Sequence, residues 1–143
     1  MDHTWTPKIS LGPIRFNEHI GTILTDFSFL PRKYKEDHTG WSTFGCDNNE
    51  TLVHLENEIV QSVACHRRCI LDSTNLIGLT VKSFLKATCS SLPEKLDQLQ
   101  VGDQRQDVYE FDNLGAQVWL QCEQIVTIIC DAGADEDTAI QHF

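Results

Sequence analysis

The run DVYEFDNLGAQVWLQCEQIVTIIC, residues 107–130, decides the fold. From Asp107 to Asp112 it alternates, with Tyr109 and Phe111 on one side and Val108 and Glu110 on the other. That is the pattern of a strand, because successive side chains point to opposite faces of a sheet. Asp112-Asn113-Leu114-Gly115 has the chemistry of a turn, with residues that tolerate left-handed backbone angles. Ala116, Val118 and Leu120 then alternate with Gln117, Trp119 and Gln121, and a second turn falls around Cys122-Glu123-Gln124. The last segment, Ile125–Cys130, is bulky on both faces, as a central strand is. Connections this short specify an antiparallel meander.

The same unit occurs earlier in the chain. An offset of 65 residues places Val53-His54-Leu55 on Val118-Trp119-Leu120, Glu58 on Glu123 and Cys65 on Cys130. Phe44, Asp47 and Asn48 fall on Tyr109, Asp112 and Asn113, and at an offset of 62 Leu30-Pro31 falls on Leu92-Pro93. The strands of the first copy are therefore expected at Trp41–Cys46, Thr51–Glu56 and Ile59–Cys65. Each copy opens with a short apolar segment, Ile9-Ser10-Leu11 or Asn75-Leu76-Ile77. A helix is expected next, with Asn17 capping Ile20, Ile23 and Leu24 in one copy and Thr80 capping Val81, Phe84 and Leu85 in the other. The Leu-Pro pairs end the helical pattern. The expected fold is α+β: two helix-plus-antiparallel-meander units, about 8–66 and 71–131, forming one curved sheet with helices packed on one face. Two copies are too few for a solenoid, so residues 1–143 read as one pseudo-symmetric domain with an acidic tail, 132–143.

A chain of 143 residues with 41% hydrophobic and 22% charged residues can bury a core of its own. No stretch approaches the roughly 20 apolar residues that cross a bilayer. The opening Met1-Asp2-His3-Thr4-Trp5 lacks the basic and apolar regions of a secretory signal, so a cytoplasmic location is expected. The net charge is −10, and it is lopsided. Residues 1–100 carry 12 acids against 10 bases, whereas residues 101–143 carry 9 acids against Arg105 alone. Such a surface repels nucleic acid and suits a basic protein partner.

The six cysteines, Cys46, Cys65, Cys69, Cys89, Cys122 and Cys130, read as reduced thiols, since disulfide frameworks belong mainly to short secreted chains. Cys65-His66-Arg67-Arg68-Cys69 offers soft ligands, but a structural zinc site needs four, and no second short-spaced pair occurs. Cys69 with His66 as nucleophile and base would need an orienting third group and an oxyanion site, neither of which is identifiable. There is no glycine-rich phosphate loop, nucleophile elbow or His-Glu-x-x-His. No enzyme activity, metal or cofactor is expected.

The run from Val108 to Leu120, the segment Ile125–Cys130, and Asn75-Leu76-Ile77-Gly78-Leu79 leading into a short helix resemble the C-terminal part of certain bacterial immunity proteins. These antitoxins belong to contact-dependent growth inhibition and related polymorphic toxin systems. The resemblance covers chiefly residues 69–131. It implies a cytoplasmic protein that binds a delivered toxin domain one to one, often a nuclease, and covers its working face. The family shares no universal motif, so the candidate contacts come from the residues themselves. They are Trp119, an aromatic of the kind that anchors interfaces, and the acids Asp107, Glu110, Asp112, Glu123 and Asp131. The alternative function is an acidic chaperone for a secreted effector.

Overall fold

The computed structural model describes residues 2–21, 32–36, 41–46 and 50–133. Eight strands pair antiparallel in one sheet: β4 (Arg32–Glu36), β5 (Trp41–Cys46), β6 (Thr51–Glu56), β7 (Ile59–Cys65), β10 (Lys95–Val101), β11 (Gln104–Phe111), β12 (Ala116–Gln121) and β13 (Gln124–Asp131). Their order is β10-β11-β12-β13-β7-β6-β5-β4, two four-stranded meanders joined where β13 meets β7. Two smaller ribbons accompany it. One contains β1 (Trp5–Thr6), β2 (Ser10–Leu11) and β3 (Ile14–Arg15), and the other β8 (Ile70–Leu71) and β9 (Thr74–Asn75).

The pairing repeats between the two meanders. His54 opposes Ser62 and Trp119 opposes Thr127, and the same irregularity follows before Leu55 meets Val60 and Leu120 meets Ile125. The turns repeat too: Asn57 and Glu58 have φ of 50° and 67°, Cys122 and Glu123 of 52° and 64°. Two consecutive left-handed residues are what a type I′ hairpin requires. In the outer strands Lys33 opposes Phe44 as Lys95 opposes Tyr109, each followed by a bulge. At the junction Cys65 opposes Ile128 and Val63 opposes Cys130, two pairs that the 65-residue offset exchanges. The halves are thus related by a pseudo-two-fold axis through Ala64 and Ile129.

Alternation along β6 buries Thr51, Val53 and Leu55, and along β12 Ala116, Val118 and Leu120. These residues define the core face. Trp5, Leu11 and Ile14 of the first ribbon belong to the core they form. So does Phe84 of the helix α1 (Val81–Thr88), whose ring meets Phe111 edge to face with centroids 5.2 Å apart. Thr80 caps α1 by accepting from Ser83 N at 3.2 Å, and Cys89 ends it at φ 54°. Eight residues would not hold a helix in isolation. Tertiary contacts hold this one: Phe84 in the core and the bond from Val81 N to Glu123 O in the β12–β13 turn.

The α+β expectation is overturned. Among the described residues the fold is mostly β, and the core face carries two small ribbons and one short helix rather than a layer of helices. The physical cause is at the sheet edges. Arg32–Glu36 and Lys95–Val101 look like polar linkers, yet they are edge strands; along Lys95–Val101 nearly every side chain is exposed and no buried face imposes alternation. Each meander accordingly has four strands, not three. Asn17 does not cap a helix: it has φ 66° and its N–H donates to Val60 O. The helical geometry at Ile20 and Gly21 follows His19 instead, whose Nδ1 accepts from Gly21 N at 3.0 Å. Ile23 and Leu24 lie outside the described residues, as do Leu30-Pro31, Asp47, Asn48 and all of the acidic tail beyond Gly133. No described helix is long and apolar enough to cross a membrane.

Candidate functional site

The sheet face opposite the core holds a groove of about 320 Å³. Val101, Gln106, Trp119, Ile129, Ala64 and Leu52 line it, one from each of six consecutive strands. In a flat sheet the outer two of six strands would lie about 24 Å apart, at roughly 4.8 Å per step. The sheet therefore wraps around the groove. Its floor is the Ala64–Ile129 pair on the pseudo-two-fold axis, and His54 and Trp119, equivalent residues of the two halves, both line it.

Polar atoms in the groove are partly occupied. The Trp119 indole Nε1–H donates to Gln117 Oε1 at 3.0 Å. His54 Nδ1 lies 3.3 Å from Thr43 Oγ1, and His66 Nδ1 lies 3.1 Å from Thr127 Oγ1. Burial lowers the His54 pKa below its ordinary value, and the charge of His66 adds to that. The groove so presents a largely apolar concavity with one aromatic wall, the kind of surface that takes an apolar anchor.

A second concavity of about 250 Å³ opens at the β11–β12 turn, where Glu110, Asp112 and Asp131 converge. None of the three forms an ion pair among the described residues. Burial raises the Asp131 pKa, the neighbouring charge of Asp112 adds to this, and a hydrogen bond from Gly133 N at 2.7 Å opposes it. Gly115 shapes the wall: it has φ 64°, and a Cβ there would come within 2.6 Å of Asp131 O. Only glycine takes that conformation and that approach without strain.

The other sequence candidates fall elsewhere. Asp107 is on the core side of β11, 3.3 Å from Lys95 Nζ and 3.8 Å from Arg105 Nε, so its charge is largely compensated. Glu123 is exposed at the β12–β13 turn, at the far end of β12 from Asp112 and Asp131. Trp119 lies in the groove, not in the acidic cleft.

A third feature is buried. The sulfurs of Cys65, Cys69 and Cys130 lie within 4.8 Å of one another, with Cys69 and Cys130 at 4.0 Å. His66 is not part of this cluster; it lines the groove on the other face. Arg67 and Arg68 turn to Glu50, at 3.4 and 3.5 Å. The Cys65 pKa is lowered to about 5, because Cys130 and then Cys69 hydrogen-bond to its sulfur. Cys69 and Cys130 are pushed up, Cys130 by burial first.

The chain matches no protein-family model, no curated protein and no solved structure. Function must come from these surfaces.

Sequence reasoning named Trp119, Glu110, Asp112 and Asp131 singly, but not the convergence of the three acids, and it missed the other residues of the groove, Leu52, Ala64, Ile129 and Val101. It also missed Cys130 as the neighbour of Cys65. The signal for that was present: residues equivalent under a repeat come close when the two copies pair antiparallel at their last strands.

Proposed function

We propose that this chain is a binding protein of the immunity type, which engages a folded, positively charged toxin domain one to one and shields its working face. The observation that carries this reading is the open concave sheet face, with Trp119 in an apolar groove and, on the same half of the sheet, the cleft of Glu110, Asp112 and Asp131, none of them ion-paired among the described residues. An apolar hollow supplies an anchor point, and adjoining carboxylates supply steering toward a basic partner such as a nuclease. The resemblance of residues 69–131 to antitoxins of contact-dependent growth inhibition and polymorphic toxin systems supports the same class. The proposed contacts are Trp119, Glu110, Asp112 and Asp131. Glu123 and Asp107 are outlying, and the compensated Asp107 contributes least.

A specific observation favours a second reading, a chaperone for a secreted effector. The edge strand β10 exposes Leu96 and Val101, at 52% and 47%, beside backbone groups that no described strand pairs. An extended segment could add there as a further strand.

The immunity reading requires a neighbouring reading frame that encodes an exoprotein with a toxic C-terminal domain, and coexpression with that domain separates the two. The immunity reading requires restored growth and a one-to-one complex with the folded domain. Neutralising Glu110, Asp112 and Asp131 together as amides should slow association and flatten its salt dependence. Binding only to the unfolded domain would favour the chaperone, and growth arrest despite coexpression would sink the immunity role.

A further inference from the structure

We propose that Cys65, Cys69 and Cys130 form a binding site for one thiophilic d10 cation, zinc or monovalent copper. Three of the four buried cysteines among the described residues converge here, and Cys89 and Cys122 are exposed. Zinc–sulfur bonds of about 2.3 Å at tetrahedral angles place sulfurs about 3.8 Å apart, and a trigonal arrangement places them at about 4.0 Å. The observed separations, 4.0 Å for one pair and no more than 4.8 Å for any, need to close by about an ångström or less. Thiolate ligands select this class of soft cation over hard ones.

The three sulfurs come from distant places in the chain, and each is held by structure. Cys65 and Cys130 lie on the core faces of the paired central strands. Cys69 sits in the short connection before β8, and Asn75 fixes that connection. The Asn75 Oδ1 accepts from Cys69 N at 3.0 Å and from Ile77 N at 3.2 Å, and its Nδ2 donates to Arg67 O at 3.0 Å. Such outer contacts orient ligands and are part of metal-site construction. All three sulfurs belong to residues with no solvent exposure. Each thiol that ligates releases its proton to solvent, so affinity falls as pH falls. Trigonal copper needs only the three sulfurs. Tetrahedral zinc needs a fourth ligand, which a water would supply, since no other His, Cys, Asp or Glu among the described residues joins the three sulfurs within 4.8 Å.

The test uses the full chain, reduced and stripped with chelator, then equilibrated with zinc alone or with monovalent copper alone and analysed for bound metal. One equivalent of one of these ions is expected, with cobalt(II) giving sulfur-to-metal charge-transfer absorption if the zinc geometry holds. Cys69→Ser and Cys130→Ser should each lower affinity more than about 100-fold, and Asn75→Ala about 10–100-fold. The Cys89→Ser/Cys122→Ser double variant should bind as the parent does. A tetrahedral cobalt(II) spectrum identifies the zinc site, and copper binding without it identifies the trigonal one. The proposal is overturned if the parent chain takes up neither ion stoichiometrically. It is equally overturned if a Cys69→Ala chain with a native circular dichroism spectrum binds undiminished.

Discussion

Trp119 stands one repeat later than His54, and the two face the same groove from either side of the Ala64–Ile129 pair. Pseudo-symmetry has thus given one concavity two unlike walls, an indole that presents a large apolar area and an imidazole that is smaller and more polar. If the groove takes an apolar anchor from the partner, the indole dominates. Trp119→Ala should cost about 2 kcal/mol or more of binding free energy to the toxin domain, and Trp119→Phe less. Titration calorimetry on the complex checks this, and unchanged affinity in Trp119→Ala would remove the groove from the interface.

His54 makes stability depend on pH. Its folded-state pKa is lowered from 6.5 by burial, so the unfolded chain takes up the proton more readily than the folded one. The contribution of neutral His54 is fully present above about pH 6.5 and declines as pH falls from there toward the lower folded value. Urea denaturation at pH 7.5 and pH 5.5 should show this loss, reduced in His54→Gln. An identical difference in parent and variant would place the pH dependence elsewhere.

Asp131 carries the opposite sign. Burial raises its folded-state pKa above 3.8, so the folded chain holds the proton more tightly. Its contribution is present below pH 3.8 and is lost as pH rises through the raised value, leaving the charged form unfavourable at neutral pH. Asp131→Asn keeps an oxygen to accept from Gly133 N and removes the charge. At pH 7 it should therefore raise the melting temperature while weakening partner binding. A variant both less stable and fully competent to bind would contradict this account of the cleft.

Phe84 is the helix's one fully buried side chain and meets Phe111 edge to face. Phe84→Ala should destabilise the domain by about 3–5 kcal/mol, through lost transfer free energy and the cavity left behind. The urea midpoint measures it, with Phe84→Leu intermediate. A loss under about 1 kcal/mol would mean that α1 is peripheral to the core.

Legibility followed burial. β5, β6, β7 and β12 have the bounds that alternation and turn residues indicate, because each has one face in the core and neighbours on both sides. β10 was not legible: nearly all of its residues are exposed, so no periodic burial marks it, and only pairing with β11 makes it a strand. The cap at His19 was equally hidden, since it depends on contacts with the β6–β7 turn and not on a local motif. In the candidate site, Glu110, Asp112 and Asp131 were readable as acids, but their convergence was not. Neither was the pairing of Asp107 with Lys95, which comes from the neighbouring edge strand.

What the linear chain determined is local or periodic: which segments alternate, where two left-handed residues turn the backbone, and that one pattern recurs after 65 residues. Those follow from the step of a strand and the conformational freedom of single residues. Tertiary structure alone decided that the last strands of the two copies pair with each other about an axis through Ala64 and Ile129. That contact joins the meanders into one wrapped sheet, opens a groove on one side and gathers three sulfurs on the other. The physical reason is that pairing between distant strands depends on the energy of the whole assembled core, which no local stretch of sequence records.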